Sequence, residues 1–208
     1  MLYIFDMDGV LLDSMPLWEH LGIDYLKRNG REPKTDFRDR VIKMSMPEAA
    51  ELLRSEYGFT CSAPEIIKGL DSLAEEFYTT TAPMKSGADK ALEKICAAGG
   101  RCVILTATDR PLAEIALERT GLKKFFCRIY TCTELRLYKS SPKVFEKVLE
   151  LENTDPKDAV VVEDAWHAVQ SASLAGIPVL AIYDASSKNH WEDIQRTAER
   201  ALSDWSQF

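Results

Sequence analysis

Two aspartates that are separated by one residue, Asp6 and Asp8, follow a short apolar run at the start of the chain. The run is β-prone and predicts a buried strand, and Gly9 behind it permits a tight turn. In open parallel sheets, ligands bind beyond the carboxyl ends of the strands, so we expect both carboxylates to project into that crevice. Because adjacent carboxylates repel each other unless a cation or a shared proton intervenes, this pair predicts a hard oxygen-seeking ion such as Mg²⁺.

Two other interpretations of the acid pair need to be considered. A calcium loop would require an acid or amide at its fifth position, glycine at its sixth and Glu at its twelfth, but Val10, Leu11 and Leu17 stand there. This excludes the calcium loop. An ordinary boundary between a strand and a turn, where Asp and Gly are common, stays open on these residues alone.

Further polar residues end two later apolar runs. Thr106 and Ala107 could hold phosphoryl oxygens with a hydroxyl and backbone N–H groups, although a threonine can also simply finish a strand. Glu163 and Asp164 form a second acid pair on a segment that we predict to be a buried strand. Such a pair is costly to bury without a cation, although a helix-capping Asp is an alternative.

The composition excludes several classes of function. A formal charge of −7 argues against a nucleic-acid partner, whose phosphates require a basic surface. Five cysteines without a C-x-x-C pair argue against a zinc site or a disulfide framework. No apolar run approaches the roughly 18 residues of a membrane span, and no leader precedes the first strand, so we expect a soluble cytoplasmic protein without a membrane partner.

The remaining pattern predicts two domains. Residues 14–82 contain consecutive helical stripes, with capping boxes at Ser45 to Glu48 and at Ser62 to Glu65, and we expect this insertion to be a helical lid over the acid pair. Residues 1–13 and 83–208 alternate helices with five apolar strands, which predicts an α/β fold with a doubly wound parallel sheet. A final stripe predicts a C-terminal helix with its tryptophans in the core; its members are Trp191, Ile194, Ala198, Leu202 and Trp205.

The chain resembles the haloacid dehalogenase-like (HAD) superfamily with an inserted helical cap, in the phosphoglycolate phosphatase and β-phosphoglucomutase-like subfamily. The resemblance to the first family motif lies in the stretch Phe5-Asp6-Met7-Asp8-Gly9-Val10-Leu11-Leu12-Asp13-Ser14. Thr106 matches the second motif, Lys139-Ser140-Ser141-Pro142-Lys143-Val144-Phe145 resembles the third, and Glu163-Asp164 matches the fourth. Ser140 replaces a proline of the family pattern, and Trp166 stands where relatives have a small residue.

The resemblance implies a Rossmann-like catalytic core and a phosphatase mechanism. Asp6 would attack phosphorus and form an aspartyl phosphate, and Asp8 would act as general acid and base. Lys139 would offset the charge that accumulates beside the nucleophile. The implied phosphate-binding set is Gly9, Thr106, Ala107 and Lys139, and the implied Mg²⁺-binding set is Asp6, Asp8 through its backbone carbonyl, Asp164 and Glu163. The partner would be a small phosphorylated metabolite, and a monomer is the default expectation.

Two other activities of this family, and one role without catalysis, are alternatives. A β-phosphoglucomutase would carry a histidine in the cap hinge where this chain has Trp18, and dehalogenases lack the second acid, here Asp8. A catalytically idle phosphate-binding regulator is conceivable because fold does not determine function, but the complete set of motif residues argues against it. Specificity is expected from the cap, where the candidates by position are Ser14, Trp18, Lys43, Met44 and Ser45.

Overall fold

The computed structural model describes residues 1–41 and 44–208, so the cap candidate Lys43 lies outside the described residues. The chain forms two compact units, one from Met1–Asp13 with Ala82–Phe208 and the other from Ser14–Thr81. The interpretation of the second unit as a lid stays a prediction.

The first unit is built on a six-stranded sheet in which all paired strands are parallel. Its strands are β1 (Leu2–Phe5), β2 (Arg101–Thr106), β3 (Phe126–Thr131), β4 (Ala159–Glu163), β5 (Val179–Ile182) and β6 (Arg200–Leu202). They lie in the order β3-β2-β1-β4-β5-β6. The predicted α/β doubly wound fold is confirmed, and the strand that carries the acid pair lies in the interior of the sheet.

The register of the sheet explains why polar residues from distant motifs meet. Phe5 is paired with Ile104 on one side and with Val162 on the other. β1, β2 and β4 therefore end at nearly the same level, so that Asp6 just after β1, Thr106 at the end of β2 and Asp164 just after β4 lie at one edge of the sheet. Strands that are buried on both faces are nearly continuously apolar, as in Ala159–Val162, so the polar residues can only appear where the strands end.

The second unit contains the helices α1 (Met15–Arg28), α2 (Phe37–Val41), α3 (Met46–Tyr57) and α4 (Ala63–Thr80). Both predicted capping boxes are present, because Glu48 and Glu65 each return a carboxylate to the backbone N–H of the N-cap serine at 2.8 Å. Within this unit the Trp18 indole N–H donates to the Tyr78 hydroxyl at 3.0 Å. Trp18 and Ser45 thus both make structural contacts inside the helical unit.

The helices of the first unit connect successive strands. They are α5 (Ala88–Ala97), α6 (Arg110–Arg119), α7 (Cys132–Leu135), α8 (Pro142–Glu152), α9 (Trp166–Leu174) and α10 (Trp191–Thr197). Apolar residues from α8, α9 and α10 form one buried cluster with the strands. No helix within the described part of the chain has the length and apolar character that a membrane span requires.

The sequence-based expectation of a long C-terminal helix was wrong beyond Thr197. The backbone becomes extended at Ala198, and the segment ending at Leu202 adds a sixth strand by pairing with β5. Tertiary pairing with the exposed edge of β5 outweighs a helical periodicity in which only a few positions are apolar. Trp205 is in the core as predicted, 3% exposed, and its indole N–H donates to the Val10 carbonyl at 2.8 Å.

The cysteines differ in their burial. The five cysteines are free thiols. Cys102 is buried on β2, whereas Cys96 is exposed at the end of α5.

Candidate active site

Asp6 lies directly after β1 and is held in place from both sides. Its backbone N–H donates to the Val162 carbonyl at 2.9 Å, which extends the pairing with β4 by one residue. Its Oδ1 accepts from the Met7 N–H at 2.6 Å and from the Lys139 ammonium at 2.6 Å. The Asp6 side chain is 12% exposed, so its carboxylate is largely removed from solvent.

Lys139 bridges two acids. Its side chain is 7% exposed, and Nζ lies 2.6 Å from Asp6 Oδ1 and 2.8 Å from Glu163 Oε1. The other oxygen of Glu163, Oε2, accepts from the backbone N–H groups of Asp164 and Ala165 at 2.9 and 3.0 Å. Both oxygens of Glu163 are therefore engaged in positioning Lys139 and the turn after β4.

Burial and neighbouring charges together shift the pKa values of three of these groups. Desolvation, assisted by Glu163 and Asp8 and opposed by Lys139, raises the pKa of Asp6 to about 7. Desolvation and the nearby Glu163 and Asp6 raise the pKa of Asp164 well above its ordinary range. Desolvation alone would lower the pKa of Lys139, but Asp6 and Glu163 outweigh it and the pKa of the ammonium is raised.

The acidic residues fit a divalent cation. One carboxylate oxygen from each of Asp6, Glu163 and Asp164 lies within 4.8 Å of the others. Oxygen ligands of this kind suit Mg²⁺, and a cation would offset the cost of ionising acids that burial otherwise holds toward the neutral form. The residues present therefore match the chemistry of the predicted metal.

Gly9 provides space beside Asp164. It has a φ of +80°, and a Cβ at this position would lie 2.4 Å from Asp164 Oδ2. Its backbone N–H donates to the Leu12 carbonyl at 2.9 Å. The glycine is thus required both by the turn and by the close approach of the β4 acid, whereas its amide already has a partner within the turn.

The end of β2 and the residues that follow it supply hydroxyl groups beside the first motif. Thr106 is fully buried, and its Oγ1 accepts from the Thr108 N–H at 3.0 Å, while Ala107 between them is exposed. The Thr108 hydroxyl donates to Asp8 Oδ2 at 2.7 Å. Sequence reasoning missed Thr108; the only signal was a second hydroxyl two residues after Thr106, which does not reveal the contact with Asp8.

The two departures from the motif pattern have local consequences. Ser140 lies in the turn before α8, and the turn still delivers Lys139 to the acids without the proline. Trp166, at the start of α9, stacks on His190 with ring centroids 6.5 Å apart and an interplanar angle of 14°. The Trp166 side chain also packs against the buried core cluster, so these contacts accommodate the large ring.

Comparisons with known proteins agree with this arrangement. The phosphorylated carbohydrates phosphatase of Thermotoga maritima is 26% identical over 174 residues, which cover 84% of this chain and 81% of the relative. The pyrophosphatase PpaX of Bacillus cereus is 25% identical over 189 residues, with coverage of 86% and 81%. Each alignment thus covers most of this chain and most of the relative.

A solved structure has the same fold. The structure of CbbY from Rhodobacter sphaeroides in complex with phosphate superimposes with a TM-score of 0.77 at 19% identity, over 99% of this chain and 95% of the other. A model of the family described as haloacid dehalogenase-like hydrolase matches residues 3–182, which include both acid pairs, Thr106 and Lys139. The predicted relationship is confirmed: the chain belongs to the haloacid dehalogenase-like hydrolase family.

Proposed function

We propose that this enzyme is a Mg²⁺-dependent phosphatase that hydrolyses a small phosphorylated metabolite through an aspartyl phosphate on Asp6. The observation that carries the proposal is the placement of Asp6, a carboxylate only 12% exposed that lies 2.6 Å from the Lys139 ammonium and is grouped with Asp164. A phosphoryl group brings further negative charge to this position, and a fixed ammonium beside it reduces the electrostatic cost of the attack.

Asp6 and Asp8 have separate roles in this proposal. Because Asp6 Oδ1 is engaged by Met7 and Lys139, we assign the attack on phosphorus to Oδ2. The bond from phosphorus to the ester oxygen breaks, and the leaving oxygen takes a proton from Asp8. Asp8 then accepts a proton from water, which attacks phosphorus, breaks the bond to Asp6 and releases inorganic phosphate.

The other residues bind and position. Thr106 and the backbone at Ala107 are assigned to the phosphoryl oxygens, and Thr108 orients the Asp8 carboxylate. Asp6, Asp164 and the Asp8 backbone carbonyl would hold Mg²⁺, which neutralises negative charge on the phosphoryl group when bound. Although Glu163 belongs to the acidic group, both its oxygens are engaged, and we assign it to holding Lys139.

The name of the Thermotoga maritima relative suggests the substrate class. We propose a phosphorylated carbohydrate or a related polyol phosphate as the substrate, with hydrolysis favoured over phosphoryl transfer between positions of a sugar. Trp18, where the mutases carry a histidine, supports hydrolysis over the mutase alternative.

The test is release of inorganic phosphate from p-nitrophenyl phosphate and from a panel of sugar phosphates, with Mg²⁺ or with excess chelator. We expect turnover only with Mg²⁺, and a loss of at least about 10³-fold in Asp6→Asn, because an amide is not a nucleophile. Asp158→Asn, which neutralises an exposed acid just before the start of β4, is the matched control and should behave as wild type.

Two results would contradict the proposal. Wild-type rates in Asp6→Asn, or full activity in chelator, would refute the nucleophile or the metal. Conversion of a hexose 1-phosphate to its 6-phosphate without phosphate release would favour the mutase.

A further inference from the structure

A second ion pair, between the partly buried Lys85 and the buried Asp184, lies near the acidic group. The Lys85 ammonium lies 2.8 Å from Asp184 Oδ2 and donates to the Tyr183 carbonyl at 2.9 Å. The two side chains are 15% and 4% exposed. Neither residue belongs to the four motifs, and the mechanism proposed above does not use them.

Asp184 has a structural reason to be present. Its Oδ1 accepts from the backbone N–H of Ser186 at 2.9 Å and from the Ser186 hydroxyl at 2.7 Å. It thereby caps the 3-10 turn Ala185–His190 that leads from β5 to α10. The carboxylate is therefore required by the turn, and it is held at the same end of the sheet as the proposed metal ligands.

The sheet register places Asp184 near Asp164. Glu163 is paired with Ala181, so Asp164 lies level with Ile182, and Asp184 follows only two residues later, just beyond the end of β5. From strand spacing and rise, the two acids are within roughly 10 Å of each other. After burial, Glu163 and Asp6, Asp184 also raises the pKa of the Asp164 carboxyl, whereas Lys85 lowers it.

Lys85 is brought to this position by its own backbone. Its N–H donates to the Leu11 carbonyl at 2.8 Å, and the preceding Met84 forms a bridge with Leu12 in the loop after the acid pair. The lysine is therefore fixed to the loop of the first motif, while its ammonium reaches the end of β5.

We propose that Lys85 is a positioning residue that acts as an internal counter-ion: it neutralises the structural acid Asp184 and keeps that acid from adding charge to the metal site. This inference rests on the proposed metal-dependent function. Lys139 neutralises Glu163 in the same manner, so the two lysines leave Asp6, Asp8 and Asp164 as the net negative charges near the site. The net charge of these acids and lysines sets the affinity of the site for a divalent cation.

The test measures Mn²⁺ affinity by calorimetry, with Mg²⁺ competition, on the full chain. Lys85→Met should tighten Mn²⁺ binding by about fourfold to tenfold, because one uncompensated negative charge acts on a divalent ion across roughly 10 Å. Asp184→Asn should weaken binding by a similar factor, and the double variant should return to within about twofold of wild type. Lys188→Met removes the same charge from an exposed position of the adjacent turn and is the matched control.

Stability measurements keep the proposal testable if Lys85→Met folds poorly. Lys85→Arg retains the charge and should leave Mn²⁺ affinity unchanged. In chelator, Lys85→Met should unfold at lower urea concentration than wild type, and adding Asp184→Asn should recover part of the loss, because it removes the unpaired buried acid.

The outcomes separate the two proposals. If wild type binds Mn²⁺ but neither single variant shifts the affinity, or both shift it in the same direction, the inference about Lys85 is overturned and the metal site stands. If wild type binds no Mn²⁺, the metal site is refuted, and the inference with it.

Discussion

The bridge from Lys139 to two buried acids is the contact on which the proposed chemistry depends most, and Lys139→Met perturbs it directly. The ammonium is 7% exposed, and its partners Asp6 and Glu163 are 12% and 1% exposed. Removing the lysine leaves two carboxylates without their shared cation, at positions where neither is more than 12% exposed. Breaking a buried ion pair from one side costs about 3–5 kcal/mol in the free energy of unfolding.

Catalysis should be lost independently of stability. Lys139 opposes the effect of burial on the pKa of Asp6, so without it a smaller fraction of Asp6 is ionised and nucleophilic. The charge that offsets the transferring phosphoryl group is lost as well. By comparison with the removal of one preorganised donor from an active site, we expect kcat to fall by about 10²–10³.

The assays are urea unfolding in chelator, followed by circular dichroism, and phosphate release at saturating Mg²⁺ and substrate. Lys143→Met is the matched control, because it removes the charge of an exposed lysine four residues later. It should change the free energy of unfolding by less than about 0.5 kcal/mol. Glu163→Gln added to Lys139→Met removes one unpaired acid. The double variant should regain part of the stability while its rate stays low.

Two results would refute this reasoning. One is a Lys139→Met variant within about 1 kcal/mol of wild type in stability, which would mean that the bridge is not formed or is fully replaced by solvent. The other is a loss of activity in Lys143→Met that equals the loss in Lys139→Met, which would assign the catalytic lysine to the wrong position.

Three further predictions concern the first motif, the segment after β2 and the helical unit. Thr108→Val should lower kcat by about tenfold with KM unchanged, because Asp8 loses a charge-assisted hydrogen bond, and Thr108→Ser should keep the wild-type rate. Equal rates in wild type and both variants would show that Thr108 has no role in the site. Gly9→Ala should weaken Mn²⁺ binding measured by calorimetry and destabilise the fold by at least about 1 kcal/mol, because its Cβ would collide with Asp164 at a positive φ; wild-type metal affinity would contradict the packing argument. Hydrogen bonds from Arg40 and Lys34 lower the pKa of Glu56 from 4.5 to about 2. The stabilising effect of the Glu56 carboxylate is therefore present above pH 4.5 and is lost as the pH falls toward 2. NMR titration of Glu56 should give the low pKa, and an ordinary pKa would show that these hydrogen bonds do not persist in solution.

Most of the fold could be predicted because its signals are local. Apolar runs that end on polar residues and the two capping boxes each depend on residues close together in the chain. The segment from Trp191 to Trp205 shows the limit of this approach. A pairing with β5 decided the conformation of Leu202, and no local pattern records that partner.

The sequence by itself determined the candidate acids, because Asp6, Asp8, Glu163 and Asp164 stand where buried strands must end. It also determined the family relationship, which depends on the order and spacing of the motifs. Only the tertiary structure decided how the charges are balanced. The contacts of Lys139 with Asp6 and Glu163, of Thr108 with Asp8 and of Lys85 with Asp184 join strand ends and loops that are between 24 and 133 residues apart in the chain. Electrostatic energies depend on distances in space and on burial, and neither quantity exists until the parallel strands bring their carboxyl ends to one edge.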